Sequence, residues 1–132
     1  MRKYIITPAL LAIVCMVMCH CTFNRKASVA ANEYLIQGEL ANLPDSIVIG
    51  LYEEDGNILN CVLRDTLMNG QFSFRDTVST TRKMLIMSDN RGFPGTWLEV
   101  WIAPGEYIEI KGQDKLVKTW EVVSDVPEQQ EE

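Results

Sequence analysis

The chain has 132 residues, enough for one domain, with 47% hydrophobic content and 12 basic against 18 acidic residues for a formal charge of −6. An acidic chain repels a phosphate backbone, so nucleic acid is not an expected partner. One histidine and four cysteines leave little material for metal or nucleophile chemistry.

Met1-Arg2-Lys3 supplies a basic start, and Tyr4 to Cys21 carries no charge. The most apolar stretch, Ala9 to Met18, fits the roughly 7–15-residue apolar region of a secretory signal. It is shorter than the about 20 residues that a spanning helix needs. Residues 1–21 therefore read as a hydrophobic signal helix, with an uncleaved anchor as the alternative, and residues 22–32 as a linker. Cys19 and Cys21 stand where a bacterial lipoprotein signal ends. The residue before such a cysteine is normally small, whereas Met18 and His20 precede these two. Lipidation of Cys21 or Cys19 is one expectation; ordinary cleavage at Ser28-Val29-Ala30 competes with it. Two acyl chains on one cysteine would hold the chain at a membrane. Each route predicts an exported protein of the cell envelope, membrane-anchored or periplasmic. Every acidic residue lies after the leader, so the remainder sets 10 basic against 18 acidic residues, a charge of −8.

From Glu33 the pattern becomes alternating. Apolar runs rich in β-branched and aromatic residues are cut by Gly, Asp, Asn and Pro. Strands are predicted near Tyr34–Leu40, Ser46–Glu53, Ile58–Asp65, Gln71–Phe74, Lys83–Ser88, Trp97–Ala103, Tyr107–Lys111 and Val117–Val123. Asp55-Gly56 and Asn69-Gly70 supply the positive φ of tight hairpins. The prediction is an all-β fold over residues 33–124, a single antiparallel sandwich or barrel-like domain of about seven or eight strands. Alternation puts Ile47, Ile49 and Leu51 on one face, as it does Phe72 with Phe74, Leu98 with Val100 and Ile102, and Ile108 with Ile110. These form the predicted core. Cys61, in an alternating apolar run, reads as a buried thiol. Residues 125–132 read as an acidic, disordered tail.

Chemistry is sparse. His20 is the only histidine and lies in the leader, and no Cys-x-x-Cys, phosphate-binding glycine loop or Gly-x-Ser-x-Gly occurs. The acidic turn Glu53-Glu54-Asp55 lacks the spacing of an EF-hand. No catalytic residue, cofactor or metal is expected. One constellation suits a ligand. Trp97 and Trp101 share a strand face, Glu99 lies between them, and Tyr107 opens the next run. An aromatic strip with a carboxylate fits a sugar ring or a peptide. Alternatively, both tryptophans cover the edge of the sandwich or fill a second core.

Three motifs occur in order: Tyr34-Leu35-Ile36-Gln37-Gly38; Asp65-Thr66 followed by Asn69-Gly70-Gln71-Phe72-Ser73-Phe74; and Trp97 to Ile110 with Pro104-Gly105-Glu106 at its centre. Together they resemble a β-rich domain of unknown function found N-terminal to thioredoxin-like (AhpC/TSA) domains in exported lipoproteins of Bacteroidetes-type bacteria. The resemblance runs from about Tyr34 to Val123. It implies an all-β fold, an envelope location and a lipidated cysteine. In the multi-domain relatives the redox chemistry belongs to the thioredoxin-like domain, so no catalytic residue carries over. The expected role is a non-catalytic interaction or accessory module for another envelope protein. Its competing forms are a carbohydrate- or peptide-binding module and an accessory acting in trans on a thioredoxin-like oxidoreductase.

Overall fold

The computed structural model describes residues 28–131. The signal segment and the candidate lipidation sites Cys19 and Cys21 lie outside the described residues.

Eight strands follow one another: β1 (Glu33–Leu40), β2 (Val48–Asp55), β3 (Ile58–Thr66), β4 (Gln71–Thr77), β5 (Arg82–Met87), β6 (Leu98–Ile102), β7 (Tyr107–Gly112) and β8 (Glu121–Val123). They form two four-stranded sheets, ordered β4-β1-β7-β8 and β3-β2-β5-β6. The fold is all-β and sandwich-like. Side chains from both sheets meet in one core, in which Ile36, Ile49, Leu51, Ile86, Val100, Ile108 and Ile110 are fully buried. The predicted inward faces hold: Ile47, Phe72, Phe74 and Ile102 are buried as well, and Leu98 packs against the cluster. Burying each such side chain contributes about 1.5–3 kcal/mol.

Two tight turns build the hairpins and corners. Between β2 and β3 the loop is Gly56-Asn57, with positive φ on Gly56 (61°). Between β3 and β4, Asn69 and Gly70 both take positive φ (52° and 73°), as an Asn-Gly turn of the I′ type requires. Met68 and Gln71 close it with reciprocal backbone hydrogen bonds of 3.1 and 2.9 Å. This corner carries the chain from one sheet to the other.

Four features depart from expectation. First, β1 and β7 pair in parallel, Leu35 opposite Tyr107 through Leu40 opposite Gly112, so one sheet is mixed. A parallel pair needs a long crossover, and here β2 to β6 supply it. Second, the last predicted strand is split. Val117–Thr119 is a 3-10 turn, and only Glu121–Val123 joins the sheet. Third, the tail is not a solvated coil. Val126 is buried and Pro127–Glu131 forms a short 3-10 helix against β6. Fourth, Cys61 is half-buried and not a core thiol. A bulge between Leu51 and Tyr52 shifts the β2–β3 register, so Tyr52 pairs with Cys61 and Val62 is skipped. Cys61 keeps the half-buried phase of Leu63 and Asp65, so β3 alternates across the bulge without reaching the core.

Candidate functional site

The four residues singled out from sequence separate into two places. Trp97 directly precedes β6 and is 53% exposed. Glu99 projects from the outer face of β6 and pairs with Lys83 of β5 at 3.7 Å. Trp101, on the same face, is half-buried, and its backbone N–H donates to Gln129 Oε1 at 2.8 Å. Its indole N–H is buried and has no partner. The short helix after Val126 thus contacts the strand carrying Trp101 and leaves Trp97 as the open aromatic of the pair. Tyr107 lies on β7, in the other sheet. Its hydroxyl donates to Gln37 Oε1 at 2.9 Å, and burial, then the charge of Glu109, pushes its pKa up.

Tyr107 belongs to a polar groove of about 540 Å³ on the outer face of its sheet, with Gln37, Glu39, Asp65, Ser73 and Glu109. The groove is acidic, but its carboxylates are partly engaged. Asp65 accepts the amides of Thr66 (2.9 Å) and Ser73 (2.8 Å), which holds the β3–β4 corner together. Among the described residues no group of three or more His, Cys, Asp or Glu side chains is arranged to hold a metal ion.

Trp97 belongs to a different cleft, of about 360 Å³, between the start of β6 and the β7–β8 connection. Its other walls are Glu99, Lys115, Leu116 and Lys118. Leu116 is 55% exposed. Local hydrogen bonds hold it there. Its amide donates to Asp114 Oδ1 (2.8 Å), and its carbonyl accepts the amide (2.8 Å) and hydroxyl (2.7 Å) of Thr119. The Trp120 indole donates to the Asp114 carbonyl at 2.8 Å, and its ring packs edge-on against Phe93, anchoring the loop to the core. Val117 points inward and is buried, so the turn presents Leu116 outward. Neither Lys115 nor Lys118 pairs with a carboxylate among the described residues.

Sequence reasoning found Trp97 and Glu99 but missed Leu116 and its two lysines. Lys115-Leu116-Val117-Lys118 sets an apolar pair between two lysines, but adjacent apolar residues are both buried elsewhere in this chain, as at Leu85 and Ile86, so the pattern alone does not mark Leu116 as exposed. The cleft offers an apolar floor, two ammonium groups without a carboxylate partner among the described residues, and a carboxylate paired with Lys83. Among the described residues no helix is long and apolar enough to cross a membrane. Comparison with protein-family models, curated proteins and solved structures finds no match for the chain.

Proposed function

We propose that the chain is an exported, envelope-associated interaction module without catalytic activity, and that it docks a peptide segment of a partner in the Trp97–Leu116 cleft. The observation that carries this reading is the pairing of two large apolar side chains, each more than half exposed, across one cleft. Exposed tryptophan at a concave site is typical of a binding anchor. The lysines give the class of partner. On a chain of charge −6, Lys115 and Lys118 are cations beside an apolar floor, without a carboxylate partner among the described residues. They favour a segment with an apolar side chain flanked by acidic residues. The leader, whose basic start and apolar core fit export, supports the envelope placement.

A peptide-display selection against the immobilised full chain tests this reading. Selected peptides are expected to carry an apolar residue among acidic ones. Their affinity should fall at least about tenfold in Trp97→Ala and in Leu116→Ser. Trp97→Ala should change folding stability by no more than about 0.5 kcal/mol, because the ring is largely in solvent. Peptides that bind Trp97→Ala and Leu116→Ser as tightly as the parent chain would overturn the assignment. Glycans captured through Tyr107 and Glu39 would move the site to the opposite sheet.

A further inference from the structure

Among the described residues β6 is the outer strand of its sheet. The Trp101 amide points out of the free edge, to Gln129 Oε1 at 2.8 Å. In an antiparallel pair, residues alternate between facing the neighbouring strand and facing away from it. Trp101 lies opposite Lys83, and Glu99, two positions earlier, lies opposite Leu85. The N–H and C=O of Glu99 therefore face outward as well. Among the described residues no loop or turn backbone takes them up.

The Trp97–Leu116 cleft opens on the same edge. Its wall includes both Leu98 and Glu99, adjacent residues that point to opposite faces, so the cleft meets β6 side-on. An extended segment seated between Trp97 and Leu116 and running along β6 passes Glu99. Four residues on, roughly 13 Å from Trp97, it reaches Trp101 and meets Gln129.

The segment that carries Gln129 has the chemistry expected of the partner. Asp125-Val126-Pro127-Glu128 sets one apolar residue among acidic ones. Gln129 Oε1 takes the place that the carbonyl of a paired strand would take at the Trp101 amide. The segment is held at few points. Val126 is buried outside the central core cluster, and no residue of Pro127–Glu131 is buried. Pro127 has no N–H, and the 3-10 turn is not a strand, so one side-chain bond reaches β6 where an added strand would make several. The Trp101 indole N–H is buried without an acceptor, so the closed arrangement leaves a donor unmet.

We infer that Asp125–Glu131 is a strap across the β6 edge, and that a peptide anchored in the Trp97–Leu116 cleft pairs with β6 as an added strand and displaces Gln129 from the Trp101 amide. The inference rests on the peptide reading of that cleft and adds how the peptide lies and what limits its affinity. Strap and peptide compete for one edge, so the apparent affinity is reduced by the fraction of chains in which the edge is open.

Fluorescence anisotropy on the full chain in non-ionic detergent tests this, with a labelled synthetic peptide of the tightest-binding sequence from the display selection. Gln129→Ala removes the bond of the strap and should tighten binding about two- to tenfold. Val126→Ser loosens the segment at its buried end and should act in the same direction. The same peptide cut to its anchor residue and one neighbour on each side does not reach Trp101, and its weaker binding should ignore both substitutions. When the long peptide binds, hydrogen exchange should slow at the Glu99 amide. It should speed up at the Val126 and Gln129 amides, which Ser124 Oγ and the Val126 carbonyl hold in the closed strap. Long-peptide affinity that neither substitution raises, or a Glu99 amide that stays unprotected, overturns the strap and leaves the cleft reading standing. Binding that ignores Trp97→Ala and Leu116→Ser overturns both.

Discussion

Gly38 shows how far a single residue constrains this fold. It sits mid-strand in β1 opposite Phe72 of β4, and a Cβ built there would lie 2.0 Å from Phe72 Cε1. The ring lies across the glycine in the space a side chain would take. Gly38→Ala must push the ring off its site and is expected to cost about 1–3 kcal/mol in urea unfolding. Phe72→Leu in the same chain should recover part of that loss, since the two positions share one space. Tyr34, two turns of the pleat earlier, carries a pH signature. It is 2% exposed, and burial, then the charge of Asp76, raises its pKa from 10.0 to about 12. A raised folded-state pKa means that the native protein holds the proton longer than the unfolded chain does. Its contribution is fully present below about pH 10 and is lost as pH rises to about 12. Stability measured across that window should fall in the parent chain more steeply than in Tyr34→Phe. At this scale, Asn69-Gly70 was legible because both positions need positive φ and those two residue types tolerate it. The half-burial of Cys61 was not, because alternation tells which face a residue shares and not how deeply that face is covered.

Among the elements, the strands were legible wherever one face is buried, since a period of two then records the core directly. β4, β6 and β7 alternate cleanly for that reason, and β1 does so from Ile36 on. β3 alternates too, but its tip lies beyond the facing sheet, and apolar residues there record no burial. The β7–β8 connection was read as strand because Val117 and Trp120 are apolar. They are buried by a 3-10 turn instead, and that turn holds Leu116 in its cleft. The closing segment was read as coil from its acidic composition. Val126 is buried there, and Gln129 accepts the Trp101 amide. Gln129→Ala removes the acceptor from the Trp101 amide. The expected results are faster hydrogen exchange at that amide and a stability loss of about 0.5–1.5 kcal/mol by chemical denaturation.

At the scale of the molecule, the all-β class followed from composition and turn spacing, but the order of strands did not. Alternation says which face is buried and is silent on which strand lies beside which. The parallel β1–β7 pair joins segments about 70 residues apart, and no local signal in either segment encodes it. The candidate site was only half legible for the same reason. Trp97 and Glu99 were found because they are close in sequence on one strand face. Leu116 and its lysines reach them only through the sheet-to-sheet crossover, and Tyr107 was grouped with them because sequence proximity crossed a sheet boundary that the turn at Pro104-Gly105 conceals.

The position of β1 has a mechanical consequence. The first strand after residue 32 is an interior one, laced to β4 on one side and β7 on the other. Tension applied to the chain ahead of Glu33 therefore does not peel an edge one rung at a time. It must break two ladders together, and one of them runs to a strand near the far end of the chain. A domain hung from its N-terminus by such a strand resists being pulled open from that end.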